Sequence, residues 1–122
     1  MSTREVKTLE ELAKQCVEDS EKYFGDSAVV YSIPHHALAM AGEVGEFCNI
    51  VKKVERGSLD IRTPAVRYDM AMELTDVFIY LLNLAGLLQI DLGKTYQMKR
   101  AENNKRFAEQ RAERAQRNGN GG

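Results

Sequence analysis

The stretch "MELTDVFIYLLNLAGLL" occupies residues 72–88 and is the most apolar part of the chain. When it is placed on an α-helix, its large apolar side chains point in nearly every direction. A helix that is apolar almost all round is a buried helix. A chain of 122 residues can hardly bury every side of one helix. We therefore expect an all-α, four-helix-type bundle whose core is completed by oligomerisation.

A single polar line interrupts this apolar helix. Its members alternate steps of four and three residues, and they are Asp69, Glu73, Asp76, Tyr80 and Asn83. This spacing places them on one face of an α-helix. The three carboxylates repel one another, so they need a nearby cation to be stable in their ionised form.

A matching acidic pair lies in the stretch "AMAGEVGEFCNIVKK", residues 39–53. Glu43 and Glu46 are three residues apart and share a helix face. If the two helices pack side by side, these acids meet the acids of the later helix. Oxygen donors without His or Cys favour hard cations such as Mg²⁺ or Mn²⁺. Gly42 and Gly45 each cost roughly 1 kcal/mol in a helix, which indicates close approach by a helix or ligand.

Helix start and stop signals divide the chain into four helices. The first has a capping-box pair, Thr8 and Glu11, and ends at Gly25. The others are expected from Ser32–Pro34 to Gly57, from Thr63–Pro64 to about Gln89, and from Asp91 to about Arg114. We expect one helical domain over residues 1–115 and a disordered tail over residues 116–122.

The charge of the chain is uneven. Residues 99–122 carry seven basic and three acidic side chains, a net +4, so the first 98 residues carry −5. Lys99, Asn103 and Arg106 share one helix face that suits phosphate oxygens. The same segment also has the composition of any solvated, salt-bridged helix, and both interpretations stay open.

Targeting and cysteine signals are sparse. No uninterrupted apolar run reaches the ~18 residues of a membrane span, and residues 1–14 are too polar for a secretory signal. Cys16 and Cys48 show no metal-ligand spacing. We expect a cytoplasmic protein with free thiols and no membrane partner.

The two acidic pairs carry a family resemblance. "GEVGEF" followed by "MELTDVFIYLLNLA" resembles the MazG-like all-α nucleoside triphosphate pyrophosphohydrolases, a group that includes dimeric dUTPases, dCTP pyrophosphatases and HisE-type enzymes. The hallmark is ExxE, a spacer and ExxD. The similarity extends through "VKK" and "QIDLGKTYQMKRAENNKRF" and covers roughly residues 34–107.

This resemblance implies hydrolysis of an NTP or dNTP to the monophosphate and pyrophosphate, with two or three Mg²⁺ (or Mn²⁺) ions. It implies a homodimer or homotetramer with a nucleotide substrate and no nucleic-acid partner. The implied metal ligands are Glu43, Glu46, Glu73 and Asp76. The implied substrate contacts are Lys53, Tyr80, Lys99, Asn103 and Arg106, with His36 as a further candidate near the nucleotide.

The proton acceptor in such a site would be a carboxylate not fully engaged with metal. Glu43 is our candidate, because it lies at the edge of the acidic row. Lys53 stands where some relatives have an aromatic residue, so it either contacts phosphate or marks a different base preference.

Three alternatives remain. One is a HisE-type enzyme acting on phosphoribosyl-ATP, and another is a non-enzymatic helical adaptor with a basic tail that contacts nucleic acid. A di-iron carboxylate bundle is disfavoured, because neither acidic pair is followed by the His of an ExxH motif.

Overall fold

The structure, a computed structural model, describes residues 6–25 and 28–121. Within these residues the chain is all-helical and has no strand. The helices are α1 (Leu9–Phe24), α2 (Ile33–Glu55), α3 (Pro64–Leu88) and α4 (Leu92–Asn120). The predicted all-α class is confirmed. Residues 26–27 of the first loop and Gly122 of the predicted tail lie outside the described residues.

Side-chain caps fix three of the four helix starts where the sequence predicts them. The Thr8 hydroxyl accepts a hydrogen bond from the Glu11 amide at 3.1 Å, within a complete capping box. Ser32 caps α2 and Asp91 caps α4 in the same way. These contacts satisfy amides that a helix leaves unpaired at its start. Thr63 precedes α3 without a side-chain cap.

The chain divides into two compact units, Met1–Ile90 and Asp91–Gly122. In the first unit α3 packs against both α1 and α2. Its buried apolar residues come from α1, the loop before α2, and α3; they are Ala13, Val30, Val66, Leu82 and Ala85. The helix with the most apolar sequence therefore lies at the centre of this unit.

Helices α1 and α3 approach each other closely at Gly86. A Cβ added to Gly86 would lie 2.8 Å from Cγ2 of Val17 and 3.2 Å from the backbone oxygen of Ala13. Both distances are shorter than ordinary van der Waals contact. The missing side chain of Gly86 thus sets how closely the two helices pack.

Much of the apolar surface of α3 is nevertheless open in the single chain. Leu74 is 50% exposed and Leu88 is 52% exposed. Only 17% of the residues in the most apolar 18-residue stretch of α3 are buried. By length and composition α3 could cross a membrane, but the core helix of a soluble protein passes the same test.

The second unit consists of α4, which has no buried residue. It ends at Asn120, so the predicted end near Arg114 is wrong. Residues 112–117 are Ala, Glu, Arg, Ala, Gln and Arg, all good helix formers, so nothing in this sequence stops the helix at Arg114. A tail that is disordered in solution stays a prediction.

Candidate metal centre

Three carboxylates from two helices converge in the first unit. Glu43 projects from α2, and Glu73 and Asp76 project from α3. One oxygen of each lies within 4.8 Å of the others, and all three residues are half-buried. The three-residue step on α3 places its two acids on one face, and the packing of α2 against α3 brings the third acid to them.

Glu73 has the least favourable environment of the three. Its Oε2 is inaccessible to solvent and has no hydrogen-bond partner among the described residues. The pKa of Glu73 is raised, first by a hydrogen bond between its carboxyl group and that of Glu43. Burial and the negative charges of Glu43, Asp76 and Glu46 raise it further. Charge repulsion and lost hydration both favour the protonated acid.

A divalent cation would relieve this arrangement. The donors are carboxylate oxygens, which Mg²⁺ and Mn²⁺ prefer over the nitrogen and sulfur ligands of softer metals. The unpartnered Oε2 of Glu73 offers a buried lone pair. The residues present therefore fit a hard divalent ion held by Glu43, Glu73 and Asp76.

Glu46, the fourth predicted ligand, lies outside this set of three and is exposed. The step from Glu43 to Glu46 equals the step from Glu73 to Asp76, so the orientation of α2 against α3, and not the spacing, leaves Glu46 exposed. Its charge still acts on Glu73, as the smallest of the causes that raise the pKa of that residue. Glu46 as a metal ligand stays a prediction.

The two glycines of α2 stand in open space. A Cβ added to Gly42 or Gly45 would meet nothing within 4 Å among the described residues. Packing within the described chain therefore does not require these glycines. The space beside them is available to a ligand or to another subunit.

The predicted phosphate-contacting residues lie on two elements. Lys53 is exposed near the end of α2. Lys99, Asn103 and Arg106 belong to α4, in the second unit. There the Arg106 guanidinium donates a hydrogen bond to Oδ1 of Asn103 at 3.3 Å, and Lys99 lies 3.8 Å from Glu102. Asn103 and Arg106 thus share one helix face, as their spacing predicts.

His36 and Tyr80 line a cavity of about 270 Å³ in the first unit. Their ring centroids are 6.0 Å apart. The cavity also takes Ser20 and Tyr23 from α1 and Asn83 from α3. The sequence did not single out the α1 residues of the cavity lining as site residues. Ser20 follows Ala13, Cys16 and Val17 at helical spacing, so a polar residue on this apolar face was the available signal.

Neither cysteine forms a disulfide in the structure. Burial, and then the Asp19 carboxylate, raise the pKa of the Cys16 thiol. A raised pKa favours the unreactive thiol over the thiolate.

Comparison with known proteins gives limited information. No protein-family model matches the chain. The chain is 33% identical over 73 residues to the Gene 37 protein of Mycobacterium phage L5. That match covers 60% of this chain and 64% of the phage protein, so the chain spans less than two thirds of the length of this relative.

Proposed function

We propose that the protein hydrolyses a nucleoside triphosphate, preferably a dNTP, to the monophosphate and pyrophosphate with Mg²⁺ or Mn²⁺. The supporting observation is the convergence of Glu43, Glu73 and Asp76 within 4.8 Å. The ExxE and ExxD pairs of the MazG-like enzymes predict this convergence, and the buried, unpartnered Oε2 of Glu73 distinguishes the cluster from a solvated acidic surface. Nucleotide-pool shaping or removal of damaged nucleotides is the role that fits this activity.

The carboxylates would hold the ion, and the ion would supply charge neutralisation and a more acidic water. Phosphoryl hydrolysis needs this neutralisation and an oriented water, and needs little else from the protein. Glu43, Glu73 and Asp76 are the proposed ligands, with Glu46 as a fourth at the exposed edge.

Removal of a proton from the water requires a carboxylate that is not saturated by metal. Glu43 is the candidate from the sequence. Its carboxylate lies within 4.8 Å of those of Glu73 and Asp76, which places it beside the proposed ion. Glu46 competes for the role, because it lies outside the set of three. Glu43→Gln and Glu46→Gln separate the two, since loss of the base removes the acidic limb of the pH–rate profile.

Phosphate and sugar contacts are proposed for Lys53, Lys99, Asn103 and Arg106. Arg106 offers a planar fork and the lysines offer point charges. The Arg106–Asn103 hydrogen bond holds the guanidinium on this face of α4. Arg106→Lys keeps the charge and loses the fork, so it should raise KM more than it lowers kcat.

A homodimer or homotetramer is part of this proposal. Apolar side chains of α2 and α3 are open in the single chain; the most exposed are Leu38, Tyr68, Leu74 and Leu88. Patches of this kind on soluble proteins mark interaction sites. Burial against a second copy gives α3 the apolar surroundings that its sequence demands.

The activity is tested with canonical NTPs and dNTPs, modified nucleotides and phosphoribosyl-ATP, each with Mg²⁺ and with pyrophosphate as the readout. We expect turnover of at least one dNTP, and its loss by about 10²-fold or more in Glu73→Ala. Turnover confined to phosphoribosyl-ATP would support the HisE-type alternative.

The exposed, basic α4 favours a second candidate, an adaptor that contacts nucleic acid. Absence of turnover for every nucleotide, with the same metal affinity in wild type and Glu73→Ala, would exclude the enzyme. Salt-sensitive binding of DNA or RNA in that case would support the adaptor.

A further inference from the structure

Helix α4 carries a stripe in which arginine side chains are interleaved with aromatic rings. Its members follow one another at steps of four, seven, four and three residues; they are Tyr96, Arg100, Phe107, Arg111 and Arg114. At about 100° of rotation per residue, they lie within about 60° of one another around the helix, and they extend over about 27 Å of its length. We call these residues the arginine stripe.

The arginines of the stripe have no acidic partner on their own helix. A carboxylate three or four residues away pairs with an arginine on a helix, and Arg100, Arg111 and Arg114 have no Asp or Glu at that spacing in either direction. Within residues 92–120, all of which the structure describes, the only ion pair joins Lys99 to Glu102 at 3.8 Å. The stripe thus concentrates positive charge that α4 does not neutralise, and an external anion would stabilise it.

The aromatic rings of the stripe are open to solvent. Tyr96 is 62% exposed and Phe107 is 49% exposed. Phe107 lines a pocket of about 230 Å³ together with Gln110, Arg111 and Arg114. A ring bordered by guanidinium groups offers a flat apolar surface next to positive charge.

The chemistry of the stripe distinguishes between three kinds of anionic partner. A guanidinium binds two phosphate oxygens at once, and an exposed ring stacks on the face of an unpaired base. A duplex keeps its base faces stacked inside, so it would use the arginines but not the rings. A lipid bilayer would require the rings on a separate apolar face, whereas here rings and charges share one strip. Single-stranded nucleic acid uses every member of the stripe.

We propose that the arginine stripe binds single-stranded nucleic acid, whose phosphates contact the arginines and whose unpaired bases stack on Phe107 and Tyr96. This interaction goes beyond nucleotide hydrolysis, and the family resemblance implies no nucleic-acid partner. The proposed substrate contacts Lys99, Asn103 and Arg106 lie about 20–80° outside the edge of the stripe. The interaction applies to the hydrolase as well as to the adaptor, because it uses α4 alone.

The test measures binding of the full-length protein to fluorescent oligonucleotides of about 15 nucleotides. Single-stranded DNA, single-stranded RNA and the matching DNA duplex are compared by fluorescence anisotropy in EDTA at several salt concentrations. We expect a single strand to bind about tenfold more tightly than the duplex, because only the single strand can stack on the rings. The DNA and RNA arms show which strand the stripe prefers.

Arg111→Gln combined with Arg114→Gln tests the phosphate contacts. Loss of two such contacts should weaken binding and should reduce the slope of log affinity against log salt by about 1.4. Lys94→Gln combined with Lys105→Gln is the matched control, because it removes the same charge from α4 at positions about 100° or more from the stripe. At physiological salt, which screens charges beyond about 8 Å, this control should change the affinity by no more than about twofold.

Phe107→Ala tests stacking separately from charge. It should weaken single-strand binding by about tenfold and leave the salt dependence unchanged, whereas Phe107→Tyr keeps the ring and should keep the affinity. Helix α4 has no buried residue, so we expect these variants to fold, and circular dichroism checks that their helix content equals that of wild type.

Four results would overturn the proposal: no single-strand binding, equal affinity for strand and duplex, equal weakening by the stripe and control variants, or equal affinity for polyglutamate. Anionic lipid vesicles that bind as tightly as the strand would overturn it too. The hydrolase is judged apart from this binding. Glu73→Ala should lose turnover and keep strand binding, and the Arg111→Gln, Arg114→Gln variant should lose strand binding and keep any turnover.

Discussion

Glu73 is the residue on which the acidic site depends most. One of its carboxylate oxygens lies within 4.8 Å of oxygens of Glu43 and Asp76, and its Oε2 is buried without a partner among the described residues. A proton or a cation at this position removes repulsion among the three acids. Binding of the proposed cation at Glu73 would therefore be coupled to folding.

Replacement of Glu73 by Gln separates the two effects. Without metal at neutral pH, we expect Glu73→Gln to be at least as stable as wild type, because the amide removes a charge from the cluster. Added Mg²⁺ or Mn²⁺ should raise the Tm of wild type by mass action and leave the Tm of Glu73→Gln nearly unchanged. Thermal unfolding with and without metal measures both. A metal-dependent rise in Tm that survives in Glu73→Gln would contradict the site.

The pH dependence of stability follows from the same raised pKa. The folded state holds the Glu73 proton more tightly than the unfolded chain, where a Glu pKa is about 4.3. The resulting stabilisation is complete below that value and is lost as the pH rises through the folded pKa of Glu73.

In EDTA, we therefore expect the unfolding free energy contributed by this site to fall as the pH rises from about 4 toward neutral. Saturating Mg²⁺ replaces the proton and should flatten this slope, and Glu73→Gln should remove it. Urea unfolding at several pH values measures the slope. The same slope in wild type and in Glu73→Gln would assign it to other groups.

For individual residues, the sequence predicts well which side chains share a face of the same helix. The step from Glu73 to Asp76 fixes their common face, whatever the rest of the fold does. The approach of Glu43 depends on how α2 packs on α3, and the exposed position of Glu46 depends on the rotation of α2 about its axis. Spacing alone determines neither.

At the scale of the helix, the three interior glycines of α2 and α3 have different surroundings. Gly42 and Gly45 face open space in the described chain, and Gly86 lies against α1. A glycine in an open helix position costs stability relative to alanine. A glycine at a close contact stabilises the packing, because a side chain would have to displace a neighbour.

Alanine at each position distinguishes these cases. We expect Gly42→Ala and Gly45→Ala to raise the stability of the isolated chain by up to about 1 kcal/mol each. Gly86→Ala should lower it by about 1–3 kcal/mol. Chemical denaturation measures all three, and destabilisation by Gly42→Ala would show that something contacts α2 at this point. Lower turnover in a Gly42→Ala or Gly45→Ala variant that is more stable would place a ligand there.

Helix starts were predictable because caps are local. Thr8, Ser32 and Asp91 each bond to an amide within three residues. The role of Gly86 was not predictable, because its contact with Ala13 and Val17 joins positions about 70 residues apart. The predicted end of α4 was too early, because residues 115–117 are good helix formers and give no reason for the helix to stop at Arg114.

At the scale of the whole molecule, the main question is what covers the apolar surface of α3. We expect a dimer or tetramer in light scattering after gel filtration, with the apolar residues of α3 in the interface. Leu74→Glu should then produce monomers and lower the Tm. If the single chain were the complete unit, a change at this half-exposed residue would have an effect within about 0.5 kcal/mol.

Val6→Glu is the control for added charge, because Val6 is 96% exposed. It should leave the molecular mass unchanged. A wild-type protein that is monomeric at all concentrations would refute the predicted oligomer and leave the exposed leucines of α3 unexplained.

The all-α class was predictable because helical periodicity runs through the chain and no strand pattern competes with it. Oligomerisation could only be inferred from the sequence. An apolar helix surface has to be buried, but its sequence does not show which surface buries it. The lining of the cavity was predictable only in part: Tyr80 and His36 were candidates from the sequence, whereas the contributing α1 residues depend on how α1 packs against α3.

The close contact at Gly86 also bears on the width of that cavity. Gly86 follows Asn83 by three residues, and Asn83 is tied to Ser20 of α1 by a 3.1 Å hydrogen bond. Helix α1 is therefore held against α3 at two neighbouring points, the close contact at Gly86 and the hydrogen bond at Asn83. A methyl group at Gly86 would require the Val17 side chain or the backbone at Ala13 to move. Movement of α1 away from α3 would lengthen the Ser20–Asn83 hydrogen bond and widen the cavity. The width of the cavity would then respond to a substitution at a residue outside its lining.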